Sequence, residues 1–239
     1  RKKNLYNAKT DIVLVAVSKW LQDCGRNSKL LKAKSIYCIP NALDTSQFKP
    51  IAKKLAKSGL GFKFEKKLIL FGALSATTDK NKGFRELYTA LNHLSSSEWE
   101  ICIFGSERPK EEKVLNFKTH YFGHIHNDEF LRKLYSAADV MVVPSKMESF
   151  GQTASEALSC GTPVVAFDTS GLRDIVKHKV NGYLAKPFDS MDLAKGIQWV
   201  LDSKSYNLLA TNSREIAIKN FDSNVVAQEY IKLYESTIN

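Results

Sequence analysis

The sequence predicts an α/β protein built on a doubly wound parallel sheet, and three observations carry this prediction. Short apolar runs of strand length alternate with segments of helical period along the chain. Residues 140–167 contain a complete strand-helix-strand crossover, which requires two parallel strands. Polar, glycine-containing loops follow the strands at their carboxyl ends, where doubly wound sheets bind their ligands.

Six short runs predict the strands of the sheet. They are apolar or β-branched, are bounded by polar, Gly or Pro residues, and cover residues 67–71, 99–104, 119–122, 140–143, 164–167 and 182–185. Runs that are apolar on both faces are typical of strands covered by helices on both sides. Pro144 ends the fourth run because proline cannot donate a hydrogen bond to a sheet.

Amphipathic segments predict the helices between and after these strands. Helices are expected over 83–94, from Asn127 or Asp128 to 138, from 151 to Gly161, from Asp189 or Ser190 to 201, over 206–220 and over 225–236. Another helix, of uncertain length, is expected after the polar loop that begins at residue 105. The sequence contains no repeat or low-complexity segment.

Composition is typical of an intracellular protein with a sizeable core. The chain has 239 residues, of which 44% are hydrophobic, so it has room for one large or two small domains. No apolar run reaches the roughly 18 residues of a membrane span, and the first residues are too polar for a secretory signal. The four scattered cysteines predict reduced thiols rather than disulfides, and hence a cytosolic protein.

The charge favours anionic partners. With 35 Lys and Arg against 25 Asp and Glu, the formal net charge is +10. Nucleic acid is not predicted, because the lysines between residues 53 and 67 lack interleaved aromatic residues and no RNA- or DNA-binding motif occurs. Two interpretations of the basic charge stay open, a peripheral contact with anionic lipid and a solvated surface.

The segment 144–165, PSKMESFGQTASEALSCGTPVV, carries the main functional signal. Glu148 lies in the loop that follows a strand, and Glu156 lies in the helix that follows the loop. Unpaired N–H groups at the amino terminus of that helix favour an anion such as a phosphate. A phosphate between two carboxylates that can accept sugar hydroxyls describes a nucleotide sugar, although an isolated pair of this spacing is also compatible with two solvated surface residues.

This segment resembles the E-x7-E motif of the retaining glycosyltransferases of family 4, which have the GT-B fold of two Rossmann-like domains facing one cleft. The resemblance implies that Glu148 contacts the donor hexose and that Glu156 binds the ribose hydroxyls. It also implies that the backbone N–H groups of Phe150 and Gly151 meet the diphosphate and sugar. The residues that flank the two glutamates match the family pattern as well, which favours the functional interpretation over a solvated surface.

Further site residues follow from the resemblance in the loops after the other strands. Lys82, in a Lys-Gly dipeptide, matches the family's diphosphate-binding lysine. Ala73 stands where the family has an arginine, so Lys80 is the candidate for the second phosphate contact. Backbone groups around Gly105 and Ile125 are expected to border the base. Asp174 matches an acidic family position, for which helix capping and packing is the expected role.

The resemblance implies a complete set of site residues. Glu148 and Lys82 are the expected catalytic residues. The expected substrate-binding residues are Gly72, Ala73, Lys80, Lys82, Gly105, His124, Ile125, Glu148, Ser149, Phe150, Gly151, Gln152 and Glu156. The two histidines of the GHIH loop lack a third ligand nearby, so no metal is assigned, and no cofactor is expected besides the nucleotide sugar substrate.

The domain organisation expected from the resemblance is the second half of a GT-B enzyme. Residues 1–48 are expected to be the remnant of the amino-terminal, acceptor-binding domain with the interdomain crossing. Residues 49–222 would form the donor-binding domain and residues 223–239 a carboxy-terminal helix. The missing amino-terminal domain is thus an expected partner, and the fragment is expected to be inactive alone.

The expected function is transfer of a hexose from a UDP- or GDP-sugar to an acceptor hydroxyl with retention, in the assembly of surface polysaccharide or lipid-linked glycan. The expected location is the cytoplasm, with membrane-peripheral contact left open. Three alternatives are a nucleotide-sugar epimerase of GT-B architecture, a nucleotide-binding module without activity, and an NAD-binding Rossmann domain. The last lacks its G-x-G-x-x-G motif after the strand 67–71.

Overall fold

The computed structural model describes residues 12–94, 98–108 and 117–238. The strands are β1 (Val13–Ala16), β2 (Ser35–Cys38), β3 (Lys67–Gly72), β4 (Trp99–Phe104), β5 (Lys118–Tyr121), β6 (Val140–Val143), β7 (Val164–Phe167) and β8 (Gly182–Ala185). The helices are α1 (Lys19–Asn27), α2 (Lys53–Ser58), α3 (Phe84–Leu91), α4 (Asp128–Ala137), α5 (Gln152–Ser159), α6 (Leu172–Ile175), α7 (Ser190–Leu201), α8 (Tyr206–Phe221) and α9 (Ser223–Ile238). The helix predicted after the loop that begins at residue 105 falls on 109–116, outside the described residues.

Six parallel strands form the main sheet, in the order β5-β4-β3-β6-β7-β8. The chain first moves outward from β3 to β5 and then returns to place β6 on the other side of β3. This reversal creates a topological switch point between β3 and β6, which is the usual ligand crevice of such sheets. The predicted doubly wound parallel sheet is therefore confirmed.

Alternate residues of the central strands enter two separate cores. Leu68 and Leu70 of β3 pack on one face of the sheet in the core that includes α4, α5 and α8. Ile69 and Phe71 point to the other face, towards α3 and α7. All four side chains are at most 1% exposed, as expected for a strand that helices cover on both sides.

Several predicted helix boundaries are confirmed by their capping hydrogen bonds. The Asn127 side chain accepts from the Phe130 N–H at 2.9 Å, so α4 begins where the sequence places it. Asp189 accepts from the Met191 and Asp192 N–H groups at the start of α7. The predicted strand 119–122 is β5, shifted by one residue, and the predicted helix 83–94 is the shorter α3.

The short helix α2 is not predicted by the sequence. Its residues include three lysines and show no apolar stripe, so the segment resembles a charged loop. In the structure, however, one of these lysines is not on the surface. Lys57 is only 2% exposed, and its ammonium lies 2.8 Å from Oδ2 of Asp139. A residue counted among the surface charges is thus an internal cation.

The first strands lie outside the main sheet. β1 and β2 form a two-stranded parallel sheet of their own, and Ile39 packs with Val226 and Leu233 of α9 in a third small core. Leu43 pairs with the end of α8, donating to the Phe221 carbonyl at 2.8 Å. The domain boundaries at 48/49 and 222/223 stay a prediction. Among the described helices, none combines the length and the apolarity that crossing a bilayer would require.

Candidate functional site

A cleft opens at the carboxyl edge of the sheet, at the switch point between β3 and β6. Its volume is about 130 Å³. The lining residues come from the ends of β3 and β6, from the loops that follow them and from the start of α5: Phe71, Gly72, Ala73, Leu74, Lys82, Val143, Pro144, Ser145, Glu148, Gly151, Gln152 and Thr153. Many of the predicted site residues are in this lining, so the structure brings them together at one edge of the sheet.

Two loops are joined so that Lys82 meets Glu148. The Lys82 Nζ lies 2.8 Å from Oε1 of Glu148, and the two side chains are 21% and 19% exposed. The Lys146 N–H donates to the Asn81 carbonyl at 2.8 Å, and the Asn81 side chain donates to the Met147 carbonyl at 2.8 Å. These bonds fix the loop after β3 against the loop after β6, so the two predicted catalytic residues form one ion pair.

Gly83 allows this close approach. It has φ of 72°, and a Cβ atom at this position would lie 1.9 Å from the Pro144 carbonyl oxygen. No residue with a side chain fits without moving the backbone. An ion pair between Lys146 and Glu86, with 2.9 Å between Nζ and Oε1, ties the same loops together on the side of α3. The close contact between the two loops thus explains why residue 83 is a glycine.

The loop 148–151 is also held from the side of β7. The Glu148 N–H donates to the Ser170 hydroxyl at 2.9 Å, and the Gly171 N–H donates to the Glu148 carbonyl at 2.9 Å. The Phe150 side chain is buried and packs edge-on against Phe221, with 5.4 Å between ring centroids. The Phe150 side chain therefore anchors the loop in the core, and Phe150 is not among the residues that line the cleft.

The backbone between the two glutamates presents a run of free donors. Within the described part of the chain, the N–H groups of residues 149–153 donate no hydrogen bond to the protein. They belong to the loop after β6 and to the first turn of α5, and Gly151, Gln152 and Thr153 line the cleft. Free N–H groups combined with a helix amino terminus attract an anion.

Glu156 lies apart from the lining of this cleft. Its Oε2 accepts a hydrogen bond from the Tyr135 hydroxyl of α4 at 2.8 Å, and the Gln152 side chain also hydrogen-bonds the carboxylate. The Glu156 side chain is half-buried. Burial raises the pKa of Glu156 above its usual value, and the two hydrogen bonds oppose that shift.

A second cleft of about 340 Å³ lies at the carboxyl ends of β3, β4 and β5. Its lining comes from three loops and comprises Ser75, Thr77, Thr78, Gly105, Ser106, Glu107, Arg108 and His124. The Gly105 N–H donates to the Gly123 carbonyl at 2.7 Å, and the Ser75 N–H donates to the Gly105 carbonyl at 3.0 Å. The predicted residues Gly105 and His124 thus share one cleft, whereas Ile125 packs partly into the core.

Other predicted residues lie elsewhere. Lys80 is exposed in a short 3₁₀ turn and lines neither cleft. Ser149 is exposed in the loop after β6. Asp174 accepts from the Lys19 N–H at 2.6 Å, so it caps α1, a helix of the first fifty residues, rather than its own helix α6. Ala73, in place of the family's arginine, lines the first cleft.

Several residues of the site are not predicted by the sequence. Ser170 holds the Glu148 backbone, Ser106 accepts from the Thr77 N–H at 3.1 Å, and Arg108 lines the second cleft. Each lies in a loop at a strand end, which is the only sequence signal that could have found it. Among the described residues, no three His, Cys, Asp or Glu side chains come together as a metal site would require.

Comparison with known proteins identifies the family. Residues 55–220 match the family described as Glycosyl transferases group 1, and the chain belongs to it. One relative is the uncharacterized glycosyltransferase MJ1607 of Methanocaldococcus jannaschii, 30% identical over 189 residues, which are 75% of this chain and 47% of the relative. Another is an N,N'-diacetylbacillosaminyl-diphospho-undecaprenol alpha-1,3-N-acetylgalactosaminyltransferase of Campylobacter jejuni. It is 27% identical over 221 residues, 89% of this chain and 56% of the relative.

Solved structures confirm the fold. A sucrose-phosphate synthase from Thermosynechococcus elongatus superposes with a TM-score of 0.83 and 27% identity, over 99% of this chain and 60% of that one. Anabaena HepE, solved with UDP and glucose, superposes with a TM-score of 0.79 and 22% identity, over 98% and 65%. The predicted resemblance and the Rossmann-like fold are therefore confirmed. The chain spans about half the length of the curated relatives it matches.

Proposed function

We propose that this chain binds the nucleotide diphosphate sugar donor of a retaining glycosyltransferase, which transfers a hexose to an acceptor hydroxyl. The observation that carries the proposal is the Lys82–Glu148 ion pair at the switch-point cleft, beside the free N–H groups of residues 149–153. A cation, a row of N–H donors and a carboxylate are the groups that a diphosphate joined to a sugar requires. The HepE structures are named as complexes with UDP and glucose and with UDP-glucose. Their similar fold supports the nucleotide sugar as the ligand by analogy.

The chemistry follows from the charge that develops during transfer. The bond between the sugar carbon and the diphosphate oxygen breaks, a bond to the acceptor oxygen forms, and the acceptor hydroxyl gives its proton to the leaving diphosphate or to solvent. The leaving diphosphate gains negative charge, which Lys82 and the N–H groups at the start of α5 would stabilise without requiring a metal ion. Glu148, released from Lys82 by the diphosphate, would orient the hexose, and Glu156 would accept the ribose hydroxyls.

Lys80 is the candidate residue for the contact with the second phosphate of the donor. Among the described residues that line the first cleft, Lys82 is the one cation, and Ala73 stands where the resemblance implies an arginine. Lys80 precedes it by two residues in the same 3₁₀ turn and is exposed. Its flexible stem would bring the ammonium to a bound diphosphate.

The proposal places the base in the second cleft, between Gly105 and His124, and the acceptor on an amino-terminal domain outside this chain. Transfer to surface polysaccharide or to a lipid-linked glycan agrees with the name of the Campylobacter relative, which refers to an undecaprenol diphosphate. A cytoplasmic location with peripheral contact to anionic lipid agrees with the net charge of +10.

Calorimetric titration of the chain with UDP, GDP and ADP, each free and as a hexose conjugate, tests the donor assignment. We expect one base to bind best and Glu156→Ala to weaken its binding. Glu148→Gln should weaken the hexose conjugate more than the free diphosphate, because only the conjugate carries the sugar. Binding of none of these compounds would contradict the proposal, as would release of an epimerised sugar without acceptor.

A further inference from the structure

Tyr135 is the largest of the described side chains that are completely buried, and its hydroxyl points at Glu156. The ring is 0% exposed and packs edge-on against Phe48 and Phe104, with 6.4 Å and 5.9 Å between ring centroids. The backbone is fixed too, because the Tyr135 carbonyl accepts from the Thr162 hydroxyl at 2.7 Å. A ring held this tightly has little freedom to redirect its hydroxyl.

The Tyr135 hydroxyl meets a single described partner. It donates to Oε2 of Glu156 at 2.8 Å, and a buried hydroxyl left without a partner would destabilise the fold. The contact also constrains Glu156, since one carboxylate oxygen is engaged by a donor that cannot move. A carboxylate has about four acceptor sites, so lone pairs stay available for two ribose hydroxyls.

We infer that Tyr135 is a positioning residue for ribose binding, holding the Glu156 carboxylate in one orientation. This inference rests on the proposed function, which assigns the ribose to Glu156. Glu156 lies on α5 and Tyr135 on α4, so the contact also couples the loop-to-helix segment of the cleft to a neighbouring helix. The role is distinct from catalysis, because Tyr135 acts only through Glu156.

The titratable groups around Glu156 set the direction of a pH effect. Burial and the negative charge of Asp128 raise the pKa of Glu156, whereas the hydrogen bonds from Tyr135 and Gln152 lower it. Cys160 also faces this pair, and burial raises its pKa to about 12, so the thiol stays neutral. Ribose binding needs the ionised carboxylate. Affinity therefore falls as the pH drops through the pKa of Glu156, and loss of the Tyr135 hydroxyl moves that fall to higher pH.

The test is Tyr135→Phe in the full chain, titrated with the nucleoside diphosphate that the parent chain binds best and with its 2′,3′-dideoxy analogue. At about pH 7, we expect the variant to bind the ribonucleotide roughly three- to tenfold more weakly, as the usual net contribution of one hydrogen bond predicts. The affinity for the dideoxy analogue, which offers no hydroxyls to Glu156, should not change. The midpoint of the pH profile for the ribonucleotide should move upward.

Two further variants keep the test decisive. Tyr206→Phe removes a tyrosine hydroxyl that accepts from Lys53 at the opposite edge of the sheet, and it should leave both affinities and the midpoint unchanged. Asp128→Asn removes a charge that raises the pKa of Glu156, so it should move the midpoint downward. This opposite shift tests, independently of Tyr135, whether Glu156 controls the profile.

The outcomes separate the inference from the proposed function. An unchanged affinity and midpoint in Tyr135→Phe, with Glu156→Ala still weakening the ribonucleotide, would overturn the positioning role alone. An equal loss of affinity for the ribonucleotide and the dideoxy analogue would also overturn it, since a structural defect affects both. A parent chain that binds no nucleotide would contradict the proposed function and this role with it.

Discussion

The central strands β3 and β6 carry a lysine–carboxylate pair at each edge of the sheet. At the amino edge, Lys57 meets Asp139, which immediately precedes β6. At the carboxyl edge, Lys82 meets Glu148, which lies in the loop after β6. The distance from lysine Nζ to the carboxylate oxygen is 2.8 Å in both pairs, so any difference in role must come from their surroundings.

The amino-edge pair has no capacity left for a ligand. The Lys57 and Asp139 side chains are 2% and 4% exposed. Lys57 also donates to the carbonyls of Phe64 and Lys66, and Asp139 also accepts from the Leu68 N–H at 2.8 Å. Oδ1 of Asp139 also lies 3.5 Å from the Lys53 Nζ. Both carboxylate oxygens and the Lys57 ammonium thus have partners, which is the condition under which buried charges are tolerated.

The carboxyl-edge pair keeps its capacity. Each side chain is about one-fifth exposed, the pair lines a cleft, and Lys82 Nζ has no other partner among the described residues. The two loops that carry the pair are held together by neighbouring residues, through the Lys146–Asn81 and Asn81–Met147 hydrogen bonds and the Lys146–Glu86 ion pair. The comparison indicates that the amino-edge pair is saturated within the fold, whereas the carboxyl-edge pair leaves donor positions of the Lys82 ammonium available at a cleft.

The largest expected effect is on the amino-edge pair. Asp139→Ala should lower the free energy of unfolding by about 3–5 kcal/mol, because it leaves the Lys57 ammonium buried without a counterion. Glu148→Ala should change the same free energy by less than about 1 kcal/mol, as is usual for partly exposed pairs. Urea unfolding followed by circular dichroism measures both values under one set of conditions.

Similar losses of unfolding free energy in Asp139→Ala and Glu148→Ala would contradict the difference between the two pairs. A second control distinguishes charge from hydrogen bonding. Asp139→Asn keeps an oxygen that can accept from the Leu68 N–H but removes the charge, so it should also destabilise the protein strongly. Near-parental stability in Asp139→Asn would mean that the hydrogen bond, and not the ion pair, holds this edge.

The next effect concerns the backbone that positions the carboxyl-edge pair. Gly83→Ala should destabilise the protein by about 1–3 kcal/mol, because the new methyl group would overlap the Pro144 carbonyl. Gly61→Ala is the matched control. Gly61 has a similar φ of 77°, but nothing lies within 4 Å of the place that its new methyl group would take, so it measures the cost of the backbone conformation alone.

The difference between these two glycine variants isolates the contact between the loops. We expect Gly83→Ala to weaken nucleotide binding as well, since a shifted loop moves Lys82 away from Glu148, while Gly61→Ala should not affect binding. Equal stability losses, with binding intact in both, would show that the loops can separate without consequence.

Much of the fold could be predicted from the sequence because each strand is a short apolar run with a distinct ending. The loops after the strands could be predicted as ligand-binding for the same reason, since parallel strands end at one edge. The order of the strands could not be predicted from the runs alone. The placing of Lys82 and Glu148 in one site is therefore an implication of family resemblance, and the structure supplies its geometric cause in the adjacency of β3 and β6.

Other parts depend on contacts between distant segments. The burial of Lys57 depends on Asp139, which is 82 residues away, and nothing in the polar sequence around Lys57 indicates it. The contact between Tyr135 and Glu156 joins two helices whose facing sides become known only when they are packed. The sequence predicts that Asp174 caps a helix. The helix that it caps is α1, where Asp174 accepts from the N–H of Lys19, 155 residues earlier in the sequence.

The smallest expected effect sharpens the comparison from the binding side. Lys82→Ala should weaken binding of the preferred nucleoside diphosphate about tenfold, which corresponds to about 1.4 kcal/mol, because it removes the cation of the first cleft. The loss should shrink at high salt, where ions screen the attraction between an exposed lysine and a phosphate. The free energy of unfolding should change by less than about 1 kcal/mol. Titration calorimetry at low and high salt, with urea unfolding of the same samples, measures all three quantities.

Lys80→Ala tests the second phosphate contact, because it removes a lysine from the same 3₁₀ turn that does not line the cleft. If Lys80 supplies the second phosphate contact in place of the family's arginine, its removal should also weaken binding, and the double variant should lose more than either single one. If Lys80 is only a solvated charge, its removal should leave the affinity unchanged. A Lys82→Ala variant that binds like the parent but unfolds several kcal/mol more easily would reverse the assignment, since the carboxyl-edge pair would then serve the fold as Lys57 and Asp139 do.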